Sequence, residues 1–142
     1  YLITNPELTN QILKLNQHLV TCPPTILAYY IAKHFDELIQ ITKPQIRSVV
    51  KKRQELAQYM DSINLKYLHG TATFYFFISI EGSSLSSEEF CLKLLREQKI
   101  AVVPGIGYGK SCDRFIRVSI GTESWERCVR ALDVIKKSID ES

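Results

Sequence analysis

Arg117 stands mid-segment in Phe115-Ile116-Arg117-Val118-Ser119-Ile120. Alternation at the strand period puts Ile116, Val118 and Ile120 on one face and Phe115, Arg117 and Ser119 on the other. A guanidinium between apolar neighbours is costly unless it is paired or faces a wet cleft. Two readings stay open from the pattern: a structural ion pair or an edge-strand surface residue, and a carboxylate clamp. The clamp draws on the planar, permanently charged fork that matches a carboxylate bidentately.

Just upstream, Pro104-Gly105-Ile106-Gly107-Tyr108-Gly109 is an irregular loop whose glycines let the backbone approach a ligand closely. Gly109-Lys110-Ser111 mimics the end of a phosphate-binding P-loop. However, G-x-G-x-G-K-S is not the G-x-x-x-x-G-K-S spacing, and the dinucleotide fingerprint lacks its long following helix. His18, His34 and His69 are isolated from one another, and Ser83, Ser84, Ser86 and Ser87 read as turn and cap residues. Cys22, Cys91, Cys112 and Cys128 form no C-x-x-C pair, so zinc or a redox dithiol is not expected. Cys91 and Cys128 fall on apolar helical faces as small core residues. Scattered cysteines fit a reducing cytoplasm.

These groups need a scaffold, and the sequence outlines one. Tyr1–Thr4 reads as a strand tail and Pro6 to about Leu19 as a helix. Pro23-Pro24 opens a further segment with Leu27, Tyr30, Ile31, His34, Phe35 and Leu38 as its stripe. Thr42 with Gln45 looks like a capping box opening a long amphipathic helix to Ser62. The Lys51-Lys52-Arg53 run on it reads as a solvated face. Thr73–Ile80, rich in aromatic and β-branched residues, predicts a strand with core packing on both faces. Tyr67-Leu68 is a possible short strand. Ser86-Ser87-Glu88-Glu89 predicts a capped helix to about Gln98. Ile100–Val103 reads as a buried strand, Arg114–Ile120 as another, and Trp125 to Ile139 as a helix with a clean apolar stripe.

The expected class is α+β: a small mixed sheet with helices packed on one face. A net charge of +3 is too weak to argue for nucleic acid, and no apolar run is long enough to span a bilayer. Tyr1–Asn5 has neither the basic start nor the cleavage site of a signal peptide.

Taken together, three stretches resemble the C-terminal third of class I/II, fold-type I aminotransferases. They are Tyr1-Leu2-Ile3 through Pro6-Glu7-Leu8 with Thr21–Thr25; Phe74-Tyr75-Phe76-Phe77 with Ser86, Glu89, Phe90 and Leu94-Leu95; and Ile100–Gly105 with Tyr108-Gly109 and Phe115–Ser119. The resemblance implies residues 1–41 as the remnant of a large cofactor-binding domain, 42–62 as a linking helix and 63–142 as the small domain. It also implies pyridoxal 5'-phosphate as cofactor, an amino acid and a 2-oxo acid as substrates, and a homodimer. Arg117 would bind the substrate carboxylate, with Tyr108 and Phe74 beside it. No catalytic, cofactor-binding or metal-binding residue is expected, because the family's Schiff-base lysine lies upstream of this segment. The chain is therefore expected to be an inactive piece of a longer enzyme. Two departures stand out: Ala72 where the family has glycine before its Phe-Tyr pair, so a turn of different shape is expected, and Ile106 where it often has serine. A carbon–sulfur β-lyase of the same fold and a non-enzymatic α+β binding module are the alternatives.

Overall fold

The computed structural model describes residues 2–142. The chain divides into two compact units, Tyr1–Pro44 and Gln45–Ser142. In the first, α1 (Pro6–Leu19) is capped by Asn5, whose side chain accepts from the Leu8 N–H, with proline at the first helical position. Helix α2 covers Thr25–Lys33. Neither helix buries a side chain, and Leu15, Leu19, Ile26, Leu27 and Tyr29 lie exposed. The expected strand tail falls partly on Tyr1, outside the described residues, and residues 2–5 are irregular.

Helix α3 runs Phe35–Ser62, so it begins well before the expected entry at Thr42. Thr42 does not cap. Its hydroxyl donates backward to the carbonyls of Leu38 and Ile39, a bond available only inside an existing helix. Pro44 sits within the helix and contributes no N–H to the ladder there.

In the second unit, strands β1 (Tyr75–Ser79), β2 (Val103–Pro104) and β3 (Phe115–Ser119) form a sheet of order β1-β3-β2. Both pairings are antiparallel, so the sheet within this α+β fold is not mixed. Register pairs Phe77 with Arg117 and Tyr75 with Ser119. Tyr67 makes only an isolated bridge to Ile78. The Ile100–Val103 stretch yields just the short β2, with Val103 exposed.

The capping box forms as expected. Ser86 Oγ accepts from Glu89 N–H, and the Glu89 carboxylate accepts the Ser86 N–H at 2.9 Å, opening α4 (Ser87–Lys93). Its last turn widens into a π turn, Leu94–Gln98, closed by Lys99 in the left-handed region. Helix α5 spans Trp125–Asp140, capped by Ser124.

One continuous core holds these elements together. The inner sheet face (Phe76, Ile78, Ile116, Val118) packs on Leu56 and Met60 of α3, Phe90 and Cys91 of α4, and Cys128, Leu132 and Ile135 of α5. Each large side chain so removed from water contributes roughly 1.5–3 kcal/mol. Burial pushes the Cys91 thiol up to about 11 and raises that of Cys128.

The Lys51-Lys52-Arg53 run is not one solvated face. Three successive helical residues sweep most of a turn. Lys51 points to solvent, whereas Lys52 Nζ donates to the carbonyl of Glu123 at 2.7 Å and Arg53 is only 9% exposed. Arg53 donates to the carbonyls of Tyr75 (2.6 Å) and Gly70 (2.8 Å), and its guanidinium carbon lies 4.1 Å from the Phe76 ring centroid. It thereby ties α3 to the start of β1. The turn before β1 is set by Thr73 at φ +65°, a costly conformation for a β-branched residue, with its Oγ1 accepting the Tyr75 N–H.

Candidate functional site

The sheet's two faces differ. Tyr75, Phe77, Phe115 and Arg117 are only half-buried on the face away from the core, and Ser119 is exposed. The aromatic strand therefore does not pack a core on both sides: Tyr75 and Phe77 stay half-buried, and the Tyr75 ring flanks a cation. The Arg117 guanidinium carbon lies 4.3 Å from the Tyr75 ring centroid and 5.2 Å from that of Tyr108. Tyr108 in turn meets Phe77 edge-on at 5.2 Å. Ring contacts of this kind attract a guanidinium through the negative π-faces while leaving its N–H donors free.

The three arginines of this unit that contact the sheet or its turns have different fates. Arg53 is committed to two backbone carbonyls, and Arg114 to three, those of Leu85, Ile80 and Ser83. The Arg117 guanidinium has no ion pair and no hydrogen bond to any described residue. Of the bland reading open from sequence, the structural ion pair is absent among the described residues, and Arg117 is not on an edge strand, since β3 lies between β1 and β2.

Tyr108 reaches Arg117 because of how its loop is folded. Gly105 is buried, and a Cβ there would sit 1.9 Å from the Cys112 carbonyl oxygen and 2.4 Å from that of Phe115, so only glycine fits. Gly109 reverses the chain at φ +118°. The residues after it form a short 3-10 turn, Lys110–Cys112, rather than the long helix a P-loop would open. Phe74 is placed differently from Tyr108. It lies beside Tyr75 at 4.4 Å and over Gly121, 43% exposed, and is not one of the two rings that contact the Arg117 guanidinium. His34 pairs with Glu37 and stacks on Tyr30, while His69 stacks on Tyr67.

Sequence reasoning assigned Tyr75 and Phe77 to core packing, although the strand alternation already places them on the Arg117 face. It also read Ser87 as a cap residue. Ser87 is fully buried. Its Oγ donates to Asp113 Oδ1 at 2.7 Å and accepts the Ile106 N–H at 3.1 Å, and its own N–H donates to Asp113 Oδ1. The one signal for this was the serine pair, since only one of Ser86 and Ser87 can be the cap.

The fold is an α+β sheet domain with helices packed on the inner face of its sheet. Residues 1–135 match the aminotransferase class I and II family, and the chain belongs to that family. It is 31% identical to the (5-formylfuran-3-yl)methyl phosphate transaminase of Methanocaldococcus jannaschii over 99% of this chain and 37% of that one. It is 30% identical to an aspartate aminotransferase of Pyrococcus abyssi over 92% of this chain and 34% of that one. Among solved structures, a Methanococcus jannaschii protein described as similar in its active site to kynurenine aminotransferases aligns with TM-score 0.73 at 31% identity, over 96% of this chain and 36% of that one. The aromatic aminotransferase of Pyrococcus horikoshii aligns with TM-score 0.73 at 25% identity, over 90% and 34%. The chain thus spans about a third of the length of the relatives it matches.

Proposed function

We propose that this chain forms the carboxylate-anchoring side of a pyridoxal-phosphate-dependent aminotransferase that moves an amino group between an amino acid and a 2-oxo acid. The observation that carries this reading is Arg117, whose guanidinium lies on the half-buried outer sheet face within reach of the Tyr75 and Tyr108 rings and meets no acceptor among the described residues. Arg117 grips the substrate carboxylate bidentately, Tyr108 and Tyr75 fix the plane of the fork, and Phe74 borders the approach. Anchoring the carboxylate fixes the direction of the neighbouring Cα–H bond, which is an orientation effect.

The family is pyridoxal-phosphate dependent in general, and that cofactor supplies the electron sink for the chemistry when bound. The face built here (Tyr75, Phe77, Phe115, Arg117, Ser119) carries no lysine to form a Schiff base. It fits the substrate side of such a site rather than the cofactor side. In this reading the 142 residues alone are inactive, and catalysis belongs to the whole protein. That protein works as a homodimer in the cytoplasm. The exposed apolar residues of α1 and α2 support the need for further covering surface, and the four free cysteines support a reducing compartment.

The test is to incubate the whole protein with an amino acid and 2-oxoglutarate. Glutamate formation that drops sharply in Arg117→Ala supports the reading. Pyruvate and ammonia without glutamate would instead indicate a β-lyase, and an unchanged kcat/KM in Arg117→Ala would leave the arginine a merely structural part.

A further inference from the structure

We infer that Ser87 and Asp113 form a latch that positions the Tyr108 loop over Arg117, so that both are positioning residues for carboxylate binding. This inference rests on the carboxylate reading of Arg117.

The helix cap does not need the Ser87 hydroxyl. Ser86 already caps α4, accepting from Glu89 and closing the box with its carboxylate. A hydroxyl with no capping task and no exposure to water must be satisfied by something else. At Ser87 it is satisfied twice, and both partners belong to the glycine loop. Ile106 N–H is the amide immediately after the squeezed Gly105, and Asp113 closes the same loop just before β3. Asp113 Oδ1 takes both the hydroxyl and the N–H of Ser87, which fixes the hydroxyl rotor so that its lone pair faces Ile106. One side chain thus holds both ends of the loop to the helix that carries Phe90 and Cys91 into the core. Tyr108 lies between these two anchors and has no side-chain hydrogen bond of its own among the described residues. Its contacts are with Phe77 and Arg117. Its pose therefore depends on the loop, and the loop depends on the latch.

Loosening the latch frees the loop in the unliganded protein, and bound substrate orders it again. The effect accordingly falls on KM rather than kcat. The experiment compares Ser87→Ala, Asp113→Ala, Asp113→Asn and Arg117→Ala in the whole enzyme, with amide hydrogen exchange at Ile106 and steady-state kinetics for the amino substrate. Ser87→Ala and Asp113→Ala are expected to speed Ile106 exchange by about tenfold or more. They are also expected to raise KM by about tenfold, with kcat within about threefold of wild type. Asp113→Asn keeps an Oδ1 acceptor and is expected to restore both. Faster exchange with unchanged KM, in a protein where Arg117→Ala raises KM, overturns the positioning role while leaving the carboxylate reading intact. Unchanged exchange overturns the latch itself. An unaffected Arg117→Ala enzyme overturns the carboxylate reading, and the positioning role with it.

Discussion

Replacing each of the sheet-associated arginines by methionine separates structural cations from the one left open. Methionine keeps an apolar stem and removes the donors. At Arg53 the change strips the Tyr75 and Gly70 carbonyls of their charged partners in a site only 9% exposed. Hydrogen bonds from a charged group contribute about 1.5–3 kcal/mol each. Some rehydration of the Gly70 turn offsets part of this, leaving a loss of about 3 kcal/mol. Arg114→Met strips three carbonyls and is expected to cost at least as much. Arg117→Met gives up two ring contacts and no hydrogen bond, a loss of about 1 kcal/mol or less. Urea unfolding followed by the fluorescence of Trp125, which lies edge-on to Tyr59, reports on the unit that contains all three. With a slope of roughly 1–3 kcal/mol per molar urea, the midpoints of the first two variants fall by about 1–3 M and that of the third by much less. An Arg117→Met variant as unstable as Arg53→Met would mean that Arg117 is committed inside the protein and not open to a ligand.

Other outcomes follow from the same structure. Gly105→Ala, whose Cβ would overlap two carbonyl oxygens, is expected to cost about 3 kcal/mol or more and to displace the Tyr108 loop, as read by unfolding and by Ile106 exchange. The Glu89 carboxyl is held below its ordinary value of 4.5 by the hydroxyl and backbone N–H of Ser86. Its contribution is therefore complete above that value and lost as pH falls through the depressed one, so stability curves of wild type and Glu89→Gln should converge in acid and separate toward neutral pH. Cys22 is expected to react with a thiol reagent in the folded protein, whereas Cys91, its thiol raised to about 11 by burial, and Cys128 should react only on unfolding, counted by mass. The 142-residue chain is expected to show no glutamate formation with any amino acid and 2-oxoglutarate.

Where periodicity and capping act within one turn, the sequence was a good guide. Ser86 with Glu89 opened α4 as expected, Asn5-Pro6 opened α1, and alternation around Arg117 placed Ile116 and Val118 inside and the guanidinium outside. It failed where a local signal competes with a longer element. Thr42-Lys43-Pro44 has the composition of a helix start, yet α3 was already running from Phe35 and absorbed it, with Thr42 bonding backward. The basic run at 51–53 failed for a tertiary reason. Only the fold brings the Gly70, Tyr75 and Glu123 carbonyls within reach of Arg53 and Lys52. At the candidate site, Arg117 and Tyr108 were singled out through the resemblance, and the structure brings their side chains within 5.2 Å of each other. Phe74, singled out with them, packs on Tyr75 and is not one of the rings in contact with the arginine. Ser87 and Asp113 were hidden because their partnership joins positions 26 residues apart.

The central claim is that Arg117 recognises a carboxylate, and it is tested most directly by removing the two partners separately. In the whole enzyme, kcat/KM is measured for an amino acid and for the matching primary amine without the carboxylate, each with wild type and with Arg117→Ala. A roughly 10- to 150-fold loss is expected for the amino acid, the kinetic equivalent of a charge-assisted bidentate contact, and almost none for the amine. An equal loss for both substrates would contradict it.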